Sequence, residues 1–233
     1  GYASDPQDYL NKGLNFRDAW RNNSLITTSI APHAPYSVSD ESFSMIGTFA
    51  NQLQMTIHTH LHETEAEISE SLKKFNMTPI QRLDKLGILG PNVTAAHCVH
   101  LNDVDIKILE KNQVNVIHNP SSNMKLGSGV ANIKALYEKG INIGLGSDSS
   151  ASNNRLDIIT EIRSTALLHK GKNQDAQFLK PLDVIKMATI NSAKAIGLDD
   201  KIGSIEIGKR ADITVINLNL IECQPCYDPL STF

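Results

Sequence analysis

The sequence predicts an α/β fold built on a parallel sheet, and three observations carry that expectation. Segments rich in β-branched residues alternate five times with segments of helical periodicity, the pattern of strand–helix units whose strands run parallel. The strands are short and punctuated by Gly, Pro and Asn. Their ends also share a chemistry: four carry histidine (His33, His60, His97, His118) and the fifth carries aspartate (Asp148). In a parallel sheet or barrel the C-terminal strand ends lie along one edge, where sites are built. Five consecutive ends bearing His or Asp point to a metal-dependent site rather than to four histidines and an aspartate each structural on its own.

Taken in order, Tyr9 to Asn22 is expected to be helical, with Leu10, Leu14, Phe16 and Trp20 on its apolar side. Leu25 to Ile30 is β-branched and short, a strand running into the rigid turn Ala31-Pro32-His33-Ala34-Pro35-Tyr36. Ser39 caps a helix in which Phe43, Ile46, Phe49, Ala50 and Leu53 recur at helical spacing. The next strand contains His58, His60 and His62. Because strand side chains alternate faces, all three are expected to point the same way. Glu65 to Phe75 is helical, and Thr78-Pro79 reads as the cap and first residue of another helix closed by Gly87. Val93–His97 and Val114–His118 are strands separated by a helix at Asp103–Glu110. A helix at Asn132–Glu138 closes at Gly140 and leads into the strand Ile141–Asp148. Two helices, Leu156–Lys170 and Pro181–Ala195, precede short strand pieces between Ile202 and Ile216.

Composition bounds the function. The 233 residues can bury a good core as one large α/β domain. A net charge of −3 and the lack of a basic run exclude a nucleic-acid footprint. No apolar run is long enough to cross a membrane. The three cysteines, Cys98, Cys223 and Cys226, form no even framework and point to a reducing cytoplasm. Cys223-Gln224-Pro225-Cys226 has the C-x-x-C form but lacks a second ligand pair, so it is read as incidental. Neither end has a start or finish pattern, and both are expected to lie inside a longer chain.

The motifs that carry chemistry are His60-Leu61-His62-Glu63-Thr64, Ala95-Ala96-His97-Cys98-Val99-His100, His118-Asn119-Pro120-Ser121-Ser122-Asn123 and Gly146-Ser147-Asp148. With Ala31–Tyr36 and Ile202–Asp212, this set resembles the amidohydrolase superfamily, nearest its 5-methylthioadenosine/S-adenosylhomocysteine deaminase and chlorohydrolase-like group. The resemblance covers nearly the whole chain. It implies a (β/α)8 TIM-type metal-dependent hydrolase barrel, of which this chain supplies about strands four to eight. On that reading residues 1–200 are the barrel portion and residues 201–233 begin a small C-terminal β-sandwich. The first three strands, with the family's His-x-His ligand pair, are absent from the sequence.

The resemblance also implies roles. One divalent metal, zinc or alternatively iron, would be held here by His60 and Asp148. Glu63, His97 and Asp148 would be catalytic: Asp148 as base toward water, Glu63 as proton carrier to a ring nitrogen, His97 polarising the developing oxyanion. His33, Glu63 and His97 would contact substrate. His58-Thr59-His60 mimics the first-strand pair, but the following Glu63-Thr64 places it on strand five. His58 then becomes a packing residue or one that supports the ligands from behind, His62 lies on the rim, and His100 and His169 are surface or structural. The implied reaction is hydrolytic deamination of an adenosine-type purine, with a small heterocycle and water as partners, no nucleic acid and no membrane. The full-length enzyme would be a cytoplasmic homo-oligomer. Removal of halide or alkylamine from a triazine, deamination of guanine or cytosine, and a non-catalytic scaffold of the same descent are the alternatives. With two of four ligands present, the stretch alone is expected to bind metal weakly and turn over little substrate.

Overall fold

The computed structural model describes residues 2–232; Gly1 and Phe233, the two ends expected to continue into a longer chain, lie outside the described residues. The chain opens with α1 (Pro6–Trp20), capped by the Asp5 side chain, which accepts from the Asp8 N–H. β1 (Ser29–Ile30) leads to α2 (Asp40–Leu53), with Ser39 as the expected cap. β2 (Thr56–Leu61), α3 (Glu65–Phe75) and α4 (Pro79–Lys85) follow. Then come β3 (Val93–His97), α5 (Asp103–Lys111), β4 (Asn115–His118), α6 (Pro120–Lys125), α7 (Ile133–Glu138) and β5 (Ile143–Leu145). Beyond β5 lie α8 (Ser150–Asn153), α9 (Ile158–Asn173) and α10 (Pro181–Lys186), the last continuing through a π-helical turn (Met187–Asn191) into α11 (Ser192–Ala195). A 3-10 turn at Ile221–Cys223 and a short α12 (Pro229–Thr232) end the chain.

The five strands form one sheet in the order β1-β2-β3-β4-β5, all parallel, as the alternation predicted. The core lies between the sheet and its helices. Ile57 and Leu61 of β2, Val93 and Ala95 of β3, Val116 of β4 and Ile143 and Leu145 of β5 pack there against Phe43, Ile80, Leu83, Leu109 and Leu136. This is one face of a barrel wall, the partial TIM-type fold expected. No described helix is long and apolar enough to cross a membrane.

The two edges of the sheet differ. On the outer side of β5, the Leu145 N–H donates to Ser192 Oγ (3.1 Å) and the Ile143 carbonyl accepts from Asn191 Nδ2 (3.1 Å). The π turn and the start of α11 therefore bring two side chains onto the outer backbone of β5. Gly144 permits this: a Cβ there would lie 2.8 Å from Ser192 Oγ and 2.7 Å from Ile117 Cδ1. β1 pairs only with β2, through Ser29 and Ile30.

Three expectations fail. The strand predicted from Leu25 shrinks to Ser29–Ile30, with Leu25 81% exposed, because one neighbour and no covering layer cannot hold an apolar strand end. α1 buries no residue; Phe16 and Trp20 stay exposed and Leu10 alone of its apolar side packs against the core. Between Ile202 and Ile216 no strand forms among the described residues. Ile205, Ile207 and Val215 are 85–108% exposed, since the segment finds no partner strand to pair with. It is anchored at Gly203, where φ is 91° and an added Cβ would lie 2.8 Å from Ile190 Cα.

Candidate active site

Strand parity places the first site residues. Ile57, Thr59 and Leu61 are buried toward the helices, so His58 and His60 face the opposite, open side of β2. His58 is exposed there, not packed as expected. His60 Nδ1–H donates to the His33 carbonyl at 2.6 Å, which fixes its ring and leaves Nε2 free to bind a ligand. The His33 ring stands edge-on to it, 5.0 Å away between centroids, and is held by Ser37 Oγ at 2.8 Å.

His62 corrects the sequence reading. β2 ends at Leu61 and His62 has φ 54°, so the alternation stops one residue too early for it to join His58 and His60. It is neither on their face nor on the rim but fully buried. Its Nδ1–H donates to the His100 carbonyl (2.7 Å) and its Nε2 accepts from the Ile80 N–H (3.2 Å). Burial, the largest influence on it, holds its pKa below the usual histidine value.

A left-handed residue makes the opposite exchange at β3. By parity with Ala95, His97 would face the core, but its φ of 77° and the φ of 46° at Cys98 turn the chain. The ring instead stacks on His60, centroids 5.5 Å apart and planes 18° apart. Its Nε2 lies 3.8 Å from Glu63 Oε2. Such non-glycine left-handed residues cost about 1–3 kcal/mol each and gather at functional sites. His97, Cys98 and Asp148 (φ 59°) form such a group around these strand ends.

Glu63 stands just before α3, whose cap is Thr64, accepting from the Glu67 N–H (3.4 Å). The carboxylate of Glu63 is therefore not spent on the helix terminus; Ser128 Oγ donates to its Oε1 at 3.2 Å. Asp148 follows β5. Its Oδ2 accepts from Ser122 Oγ and its Oδ1 from the Ser149 N–H, both at 2.7 Å. Burial pushes its carboxyl up, but these bonds, the nearby His97 and Ser152 outweigh it, and the net shift is down. Asp148 is thus an ionised carboxylate with lone pairs left over for a ligand.

The sequence reading quoted Ser122 and Asn123 in a motif but gave residues 122–128 no part in the candidate site. From one segment, Ser122 holds Asp148, Asn123 Oδ1 accepts from His97 Nδ1–H (2.8 Å) and Ser128 holds Glu63. The segment is itself tied down by the Ser121 N–H to Glu161 Oε2 (3.1 Å) and by Lys125 Nζ to the Ala151 carbonyl (2.7 Å). The available signal was Pro120, a helix-starting residue directly after a strand end. The missed Glu67 lies buried beneath Glu63, and burial pushes its carboxyl up to about 7.

His118 is not part of this cluster. It is fully buried on the helix side of β4, with Nε2 3.0 Å from Nε2 of the equally buried His169 on α9. Burial and the neighbouring ring hold its pKa well below normal, and burial pushes His169 down to about 4. Both Nδ1 atoms lack a partner among the described residues. Among those residues, no group of three or more His, Cys, Asp or Glu is arranged to hold a metal ion. A neutral imidazole nitrogen from His60 and the Asp148 carboxylate nevertheless fit a zinc-type donor set in kind, as one part of it.

Comparisons with known proteins agree with one another. The profile of the Amidohydrolase family matches residues 4–233. A 5-methylthioadenosine/S-adenosylhomocysteine deaminase from Teredinibacter turnerae is 43% identical over 233 residues, covering 99% of this chain and 52% of the relative. A 5'-deoxyadenosine deaminase from Methanothermobacter thermautotrophicus is 43% identical over 206 residues, covering 88% and 48%. Among solved structures, an adenosine deaminase from Xanthomonas campestris with bound zinc superposes with a TM-score of 0.96 at 38% identity, over 99% of this chain and 53% of that one. The chain spans about half the length of the curated relatives it matches.

Proposed function

The chain belongs to the amidohydrolase family, and from that premise we propose that it is part of a metal-dependent deaminase acting on an adenosine-type purine, such as 5-methylthioadenosine or S-adenosylhomocysteine. Two deaminase relatives at 43% identity support the substrate class, and the zinc-bound neighbour supports zinc as the metal. The observation that carries the reading is the pairing of Glu63 with His97 beside the His60 ring, with Asp148 ionised on the same strand edge.

His60, through Nε2, and Asp148, through its carboxylate, would hold the metal, which when bound lowers the pKa of water toward neutrality. Asp148 accepts a proton from the attacking water at a carboxylate oxygen. Glu63 delivers a proton to a ring nitrogen, so that the adjacent sp² carbon becomes electrophilic and the water oxygen can add to it. The proton held by Asp148 then passes to the amino group, the Glu63 carboxylate takes the proton of the added hydroxyl, and ammonia leaves as the carbonyl forms. His97 Nε2, 3.8 Å from Glu63, sits where it can orient the water or the substrate ring. His33, its ring exposed beside His60, is the further substrate contact. The three free thiols support a cytoplasmic setting. In the same reading, residues 1–200 are the barrel portion and residues 201–233 begin a second, composite domain.

The test is ammonia release from a purine nucleoside panel by the intact protein, wild type and Glu63→Gln. Loss of a general acid should cut turnover by about 10²–10⁴-fold while metal content stays unchanged. Near-normal turnover in Glu63→Gln would remove Glu63 from the mechanism. No ammonia from any purine would overturn the substrate class.

A further inference from the structure

Two carboxamides face one nitrogen of His97. Asn123 Oδ1 lies 2.8 Å from Nδ1, and Asn119 Nδ2 lies 3.4 Å from the same atom. The two contacts demand opposite states: an oxygen there requires a proton on Nδ1, whereas an amide NH₂ requires a lone pair. A neutral imidazole can satisfy only one, and whichever it satisfies decides what Nε2 presents on the other side of the ring. That other side faces Glu63, with Nε2 3.8 Å from Oε2.

The geometry favours the first contact. It is shorter by a large margin on the hydrogen-bond scale, and 3.4 Å is beyond the usual N–H···N range. Asn119 is also constrained: its Oδ1 fills the space that a Cβ on Gly146 would take, and its NH₂ group is turned toward His97. With Asn119 already offering hydrogens, the oxygen of Asn123 is the group that can take the Nδ1 proton. Asn123 is 1% exposed, and its buried Nδ2 has no partner among the described residues. An orphaned buried donor beside a candidate catalytic ring is the kind of local deficit that function retains.

We propose that Asn123 is a positioning residue that sets the tautomer of His97, keeping the proton on Nδ1 so that the Nε2 lone pair faces Glu63 and the substrate. The proposal rests on the deaminase reading only for its consequence. It also changes the role expected of His97. A neutral ring with Nδ1–H cannot donate from Nε2 to a developing oxyanion; it accepts a hydrogen bond there, from water or from the protonated Glu63 carboxyl. His97 then holds the proton-carrying partner in place rather than polarising the oxygen.

The experiment reads the tautomer directly, in the intact protein labelled with ¹⁵N at histidine, near neutral pH and without substrate. The expected spectrum assigns to His97 a protonated Nδ1 and an unprotonated Nε2. Asn123→Ala should lose that preference, and where deamination is measurable kcat should fall about 10–100-fold with KM little changed. Asn123→Asp keeps an acceptor oxygen, so it should keep Nδ1–H and lose less of kcat than the alanine variant. A wild-type spectrum with the proton on Nε2 would overturn the proposal, as would Asn123→Ala with the Nδ1–H form intact. If the spectrum is as expected but no purine is deaminated, the substrate reading fails and the assignment of Asn123 stands.

Discussion

His60 and His118 occupy nearly the same place in their units, one residue before the end of β2 and at the end of β4, yet they belong to different parts of the molecule. His60 sits between the core residues Ile57 and Leu61 in the alternation and so faces away from the helices. His118 is two residues from the core residue Val116 and shares its face. One ring keeps a free Nε2 over the open face; the other is sealed against His169. A histidine at a strand end is thus not in itself a site residue. What assigns it is its register against the buried positions of its own strand, and whether a left-handed residue intervenes.

The largest effects expected separate the two rings by readout. In the intact protein, His60→Ala should abolish metal binding and lower activity by at least the about 10²–10⁴-fold attributed to losing a catalytic proton carrier, with little change in melting temperature. His118→Ala should do the reverse: it leaves a cavity and an unpaired buried His169 nitrogen, and should cost about 2–4 kcal/mol in urea denaturation. If His118→Ala instead removes metal and spares stability, the division between the two rings is wrong.

An intermediate effect comes from acid. The buried His62, His118 and His169 all have folded-state values below the ordinary 6.5, His169 at about 4. Between pH 6.5 and 4 these three histidines therefore bind more protons in the unfolded chain than in the folded one, while Glu67, pushed up to about 7, works the other way. Stability should fall as pH drops through this window, by about 1.4 kcal/mol per pH unit for each proton taken up on unfolding. Above pH 6.5 these three contribute no slope. Replacing His118 and His169 together by leucine should flatten the acid limb; an unchanged limb would mean that other groups cause it. The smallest effect belongs to His58, exposed on the open face, where His58→Ala should change stability by no more than about 0.5 kcal/mol.

How far the sequence could be read follows the same division. α3 and β3 were predicted to the residue because their signals are local: Thr64 caps α3, Asn76 stops it in the left-handed conformation, and β3 is a short apolar run that ends in histidine. The candidate residues Glu63, His97 and Asp148 were picked out by their motifs, and the structure brings His97 beside Glu63. The faces of His62 and His97 were not, because each depends on one positive φ that no local composition announces. Nor were the holds of Ser122 on Asp148, Asn123 on His97 and Ser128 on Glu63, which join residues 26, 26 and 65 positions apart. Such pairs are chosen by packing, not by propensity. The Ile202–Ile216 segment shows the converse: strong β-formers alone make no strand where nothing is available to pair with them.

The sheet order also bears on how the chain assembles. Each strand pairs with the one made just before it, so every new strand–helix unit meets a ready template at the sheet's growing margin. Loop closure at each step spans a single unit, which keeps its entropic cost low. Pairing of this kind asks no strand to wait for a distant partner.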